Sequence, residues 1–157
     1  MEKLTIMGFG NPVREDDGVG IYIIEQLQKK IGKREGIQIF DMGTSAFEIL
    51  FKLKGQDRII LVDAVLNTGE PVGTLYKVPE EEITNSIESD PHLYLHSLKW
   101  DQALSYAKKI LGNDYPKQID VFLVAIDSTR FDTAMTEAAI KGGDAMTEKI
   151  LSELNFN

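Results

Sequence analysis

Leu4-Thr5-Ile6-Met7-Gly8-Phe9-Gly10-Asn11-Pro12-Val13-Arg14-Glu15-Asp16-Asp17-Gly18-Val19-Gly20 passes from an apolar run, through a glycine-rich turn, into the start of a helix. Residues 4–7 end at Gly8 and read as a buried strand. Val19, Ile23, Leu27 and Ile31 then recur every four residues, with Ile24 beside them. That spacing is one apolar face of a helix beginning near Asp17. The rest of the chain repeats this alternation of strand and helix.

Residues 37–40 read as a second strand. Ser45 followed three residues later by Glu48 makes a capping-box signature before Ile49, Leu50 and Leu53, so a short helix is expected there. Residues 59–62 are wholly apolar, as in a central parallel strand, and residues 73–78 form another strand candidate. Glu80, Glu81 and Glu82 read as a solvated stretch, and residues 84–95 as loop. Trp100, Leu104, Ala107 and Leu111 have helical spacing, stopped by Gly112 and Asn113. Residues 121–126 are a last apolar strand, and residues 133–154 are helical. Gly142 and Gly143 lie inside that helix, each costing roughly 1 kcal/mol relative to alanine, and either kink or split it. The pattern predicts one α/β domain over residues 1–157, with a mostly parallel sheet covered on both faces. In such sheets ligands sit beyond the C-terminal strand ends. Attention therefore falls on residues 8–17, 41–44, 63–67 and 127–130.

The chain has 157 residues, enough for one domain with a substantial core. Apolar content of 43% and charged content of 27% are ordinary for a globular protein. A formal charge of −8 argues against nucleic acid or anionic lipid as partner. The basic residues Lys29, Lys30, Lys33 and Arg34 sit near an expected helix end, where they complement the helix dipole. The absence of cysteine removes thiol nucleophiles, thiolate zinc sites and iron–sulfur ligation. No leader-like or membrane-spanning run is visible, so a cytoplasmic location is expected.

A glycine turn between strand and helix first suggests dinucleotide binding, with Asp41 where a ribose-binding carboxylate would stand. Val13, however, occupies the third glycine position, and Glu15, Asp16 and Asp17 crowd the helix start. A pyrophosphate needs N–H groups and positive dipole there; three carboxylates attract a cation instead. Asp16 or Asp17 could equally be a simple N-cap. Asp63, after the central strand, could hydrogen-bond a neighbouring loop or act in a cleft shared with the first loop. The two histidines, His92 and His96, stand four apart and could share a helix face. The His92-Leu93-Tyr94-Leu95-His96 segment lacks the zinc-peptidase glutamate. Two carboxylates and an imidazole at one strand edge would suit a borderline divalent metal such as nickel or zinc.

Taken together, these motifs resemble the hydrogenase maturation endopeptidases over nearly the whole chain. The Gly8-Phe9-Gly10-Asn11-Pro12 string running into Asp16-Asp17-Gly18-Val19-Gly20 looks like that family's N-terminal signature. Asp41-Met42-Gly43-Thr44 resembles its glycine turn, with Met42 where a second glycine is frequent. Ile59-Ile60-Leu61-Val62-Asp63-Ala64 is similar to the strand ending in its second metal ligand, and His96-Ser97-Leu98 leading to Asp101 is similar to its histidine segment. The resemblance implies an α/β/α sandwich with a mixed, mostly parallel five-stranded sheet, phosphorylase/hydrolase-like. It also implies Asp17, Asp63 and His96 as nickel ligands and catalytic groups, with Asp16 and Asp41 supporting them. The activity implied is removal of a C-terminal extension from a [NiFe]-hydrogenase large-subunit precursor once nickel is installed. The nickel travels in that precursor, no organic cofactor is needed, and a monomer pairs transiently with its substrate. Two rival readings remain: a non-catalytic nickel-binding or delivery protein using the same ligands, and a nucleotide-binding enzyme built on Gly8 and Gly10.

Overall fold

The computed structural model describes residues 2–89 and 100–156. The described residues form five strands and five α-helices, in the order β1 (Leu4–Phe9), α1 (Val19–Ile31), β2 (Ile37–Gly43), α2 (Ile49–Leu53), β3 (Arg58–Leu66), β4 (Leu75–Pro79), α3 (Glu80–Ser89), α4 (Asp101–Leu111), β5 (Gln118–Ile126) and α5 (Glu137–Glu153). The strands form one sheet in the order β2-β1-β3-β5-β4. Strands β1, β2, β3 and β5 are parallel, and β4 runs antiparallel along the β5 edge.

Continuous apolar runs make the central strands because helices cover both faces. All six residues of β1 are buried. On one face Met7, Phe9, Leu61 and Leu123 pack beneath Ile49, Leu53, Ile83, Leu104 and Ala107 of α2, α3 and α4. On the other, Ile6, Ile60, Val62 and Phe122 pack beneath Ile23, Leu27, Met146 and Ile150 of α1 and α5. This is the expected three-layer sandwich with a mixed five-stranded sheet.

Close approach explains the glycines in the helices. A Cβ on Gly20 would lie 2.1 Å from the Phe9 carbonyl oxygen and 3.2 Å from that of Val62, so α1 rests directly on β1 and β3. A Cβ on Gly142 would lie 2.8 Å from Gly73 Cα, and one on Gly143 would press on Tyr22. The glycine pair therefore neither kinks nor splits the last helix. It lets one uninterrupted α5 dock on the β4 approach and on α1.

Several expectations are corrected. Ser45 does not cap α2: its N–H donates to Met42 O in a turn, and Glu48 precedes the helix without a side-chain cap. Of residues 84–95, expected as loop, residues 84–89 belong to α3 and residues 90–95 lie outside the described residues. Glu80, expected in a solvated stretch, is buried in the first turn of α3. Its carboxylate accepts from Lys108 Nζ and Tyr115 Oη at 3.3 and 3.2 Å, because α3 lies against α4. Burial, and then the Glu80 charge, push the Tyr115 phenol well above its ordinary range. Helix α5 starts at Glu137, after Thr136 accepts from Ala139 N, rather than near Thr133. Strand β4 starts at Leu75, because Gly73 and Thr74 form the turn beside Ala125. Strand β2 runs on to Gly43, since β1 continues alongside it.

The correction that matters most concerns β3, which continues past Val62 to Leu66. Its pairing with β1 stops at Gly8 and Val62, whereas pairing with β5 continues to Leu66 and Ile126. Asp63 is thus the first β3 residue beyond the end of the β1 ladder. The chain passes from β1 to β2 on one side and places β3 on the other. The β1/β3 boundary is therefore the topological switch point, where such sheets open a crevice.

Candidate active site

Asp63 extends from β3 on the α2/α4 face, the same face as Leu61 and Val65, and is 7% exposed. A buried carboxylate needs donors. Oδ1 accepts from Ala64 N at 2.7 Å, and Oδ2 accepts from the Trp100 indole Nε1 at 2.8 Å. Trp100, at the entry to α4, is fully buried and stacks on Phe9 with ring centroids 5.5 Å apart and planes inclined by 25°.

Asp17 comes from the opposite wall, in a 3-10 turn spanning Glu15–Gly18. Its Oδ2 accepts from Asn11 N at 3.1 Å. Gly10 permits this fold-back: its φ is +150°, and a Cβ there would lie 2.2 Å from Asp17 O. Neither Asp16 nor Asp17 caps α1, whose N-cap is Gly18 with no side-chain bond. The three neighbouring acids divide instead between two tasks. Asp16 is 1% exposed and accepts from Thr136 N at 2.7 Å and from the Thr136 hydroxyl. Glu15, with φ of +50°, accepts from the Ser128 hydroxyl at 2.6 Å and from Arg130 N at 3.3 Å. Both fasten the first loop to the segment between β5 and α5. Asp17 alone of the three lines the cavity.

The Ser128 hydrogen bond holds the Glu15 carboxyl below the usual carboxylate range, against opposing desolvation, with further help from Arg130. A depressed folded-state value means that Glu15 contributes stability above the unfolded pKa. That contribution disappears as pH falls through the folded one. Thermal melting of Glu15→Gln should therefore lose less stability on acidification below pH ~4.5 than wild type does. Parallel pH profiles of the two proteins would contradict the Ser128–Glu15 linkage.

The cavity between the two walls is lined by Phe9, Gly10, Asp17, Gly43, Asp63 and Trp100, among others. Its volume of about 40 Å³ admits an ion or a few waters and is too small for a dinucleotide. Asp41 does not line it. That carboxylate is exposed and accepts from Gly43 N at 2.9 Å, shaping the turn whose Gly43 O accepts from Gly10 N. Met42 is buried in the core beneath α2. Among the described residues no three potential ligands come together. His92 and His96 lie outside the described residues. Two expected acids thus converge, a third supports the turn, and Asp16 binds elsewhere. Sequence reasoning did not identify Trp100 as a partner of Asp63, or Thr136 and Ser128 as anchors of the loop. These partners are remote in sequence, and no local signal marks them.

An α/β sandwich with two carboxylates at the switch point, over an aromatic wall, defines the architectural class. The model of the hydrogenase maturation protease family matches residues 21–153. The chain belongs to that family, whose members are peptide-bond hydrolases. It is 26% identical over 156 residues to the hydrogenase 2 maturation protease of Escherichia coli, covering 97% of this chain and 88% of that one. It is 27% identical over 130 residues to the hydrogenase expression/formation protein HupD of Thiocapsa roseopersicina. That match covers 83% of this chain and 56% of HupD, so the chain spans little more than half of that relative's length. The fold matches the hydrogenase maturating endopeptidase HybD from E. coli with a TM-score of 0.78 at 21% identity, over 98% of this chain and 92% of that one. No helix among the described residues is long and apolar enough to cross a membrane.

Proposed function

We propose that this chain is an endopeptidase that removes the C-terminal extension of a [NiFe]-hydrogenase large-subunit precursor after nickel insertion. The observation that supports this reading most is the convergence of Asp17 and Asp63 on one small cavity at the β1/β3 crevice. Family membership gives the reaction class. The anionic cavity favours a cation, and its size suits one. Nickel arrives as part of the substrate, and Asp17, Asp63 and His96 complete its coordination shell. His96 precedes the cavity-lining Trp100 by four residues in sequence.

Docking the metal beside the scissile bond lets it polarise the carbonyl. Water adds to the carbonyl carbon, and one of the two carboxylates takes its proton. The proton then passes to the leaving nitrogen as the C–N bond breaks. With no nickel in the precursor, two like charges face the peptide and nothing anchors it. Dependence on metal insertion follows.

The test is a mass assay of precursor with and without nickel. Release of a discrete C-terminal peptide from the loaded form alone is the expected result. His96→Ala should abolish it, and His92→Ala should leave it nearly unchanged; the reverse pattern would reassign the ligand. Stoichiometric nickel binding without any cleavage would favour a metal-delivery protein.

A further inference from the structure

We infer that Trp100 is a positioning residue for this reaction, setting the Asp63 carboxylate at its working angle through the indole N–H. The inference rests on the peptidase reading above. Indole is a donor with no acceptor. It can fix an ionised carboxylate, and it cannot replace it as a ligand. The Trp100 Nε1–H donates to Asp63 Oδ2 at 2.8 Å while Ala64 N donates to Oδ1 at 2.7 Å. Donors on both oxygens, one a main-chain N–H and one a buried indole, fix the rotation and the tilt of the group.

The donor itself is rigid. Trp100 has no exposed surface, and Phe9, the last residue of β1, stacks against its ring. The Trp100 carbonyl accepts from Leu104 N, so the same residue starts α4. Asp63 on β3, Phe9 on β1 and the head of α4 are thereby joined at the cavity wall. The indole reaches across 37 positions of sequence to make this bond. Hydrogen-bonding partners that orient a metal-binding group typically change activity about ten- to hundredfold when removed.

The experiment uses two versions of the full-length protein. One is Trp100→Phe. The other replaces Trp100 by β-(3-benzothienyl)alanine, a near-isostere with sulfur in place of N–H. Because Trp100 is the sole tryptophan, global incorporation changes no other position. Steady-state cleavage of nickel-loaded precursor is measured alongside melting by circular dichroism. In the isostere protein kcat should fall about ten- to hundredfold, with KM within about twofold of wild type and an almost unchanged melting temperature. Trp100→Phe should reproduce that split. Unchanged kcat in the isostere protein overturns the role. So does a loss of activity that merely tracks loss of folded protein. Failure of the wild-type chain to cut any loaded precursor overturns the peptidase reading itself, and this role with it.

Discussion

Asp63→Asn and Asp17→Asn are each expected to lower cleavage of nickel-loaded precursor by about a hundred- to a thousandfold, the scale at which removal of a charge-stabilising group acts. Their effects on stability should differ, and that difference makes the result interpretable. Asp63 accepts a hydrogen bond on each oxygen from donors that cannot turn away, Ala64 N and Trp100 Nε1. An asparagine in its place can satisfy only one and turns an NH₂ towards the other. A buried donor left without an acceptor costs about 1–3 kcal/mol. Asp17 is half-exposed, and the bond its Oδ2 accepts from Asn11 N is one that an asparagine oxygen can also accept. Its variant should melt within about 0.5 kcal/mol of wild type. Urea titrations beside the mass assay would separate the two losses. A folded Asp63→Asn protein cutting at the wild-type rate would remove Asp63 from the mechanism.

The second large effect is structural. Gly20→Ala places its methyl 2.1 Å from the Phe9 carbonyl oxygen, with Val62 O at 3.2 Å. Both obstacles are backbone atoms of strands held in the middle of the sheet, so neither can rotate aside. Helix α1 must lift, opening the core that Val19, Ile23 and Leu27 fill. A cost of about 3–5 kcal/mol is expected, at the severe end of single substitutions. That corresponds to a fall in melting temperature of roughly 10–15 °C for a domain of this size. Gly32→Ala is the control. Nothing lies within 4 Å of its Cβ position, and only its φ of +65° opposes the change, a cost of about 1 kcal/mol. Calorimetric scans giving equal shifts for the two variants would contradict direct helix–sheet contact at Gly20.

How far the sequence was legible depended on whether a residue's partner was near it in the chain. The unbroken apolar runs of β1, β3 and β5 announced a covered parallel sheet. The four-residue spacing from Val19 to Ile31 marked α1 almost to the residue. The strand C-termini, where such sheets bind ligands, pointed to the first loop and to Asp63, while the choice of Asp17 among its acidic neighbours came from the family resemblance; both residues line the cavity. Ser45 misled, because a capping-box pattern says nothing about whether the turn before it is already satisfied; here Met42 O accepts from Ser45 N. Helix α3 was hidden by its three leading glutamates, which read as solvated although Glu80 is drawn inward by Lys108 and Tyr115. Asp16 and Glu15 looked like members of one acidic site. Their hydrogen bonds to Thr136 and Ser128 span 120 and 113 positions, beyond any local pattern.

Trp100, the chain's lone tryptophan, is sealed against Phe9 and bonded to Asp63. The intrinsic fluorescence of the protein is therefore a spectrum of this one location. Excitation near 295 nm addresses an indole shielded from water, so folded emission should lie to the blue of an exposed tryptophan. Any quencher that reaches the carboxylate cavity should dim that emission. An unfolding curve followed at this wavelength reports when Trp100 parts from Asp63 and Phe9, and departures from a curve followed by backbone dichroism would reveal that the cavity wall opens before the sheet does.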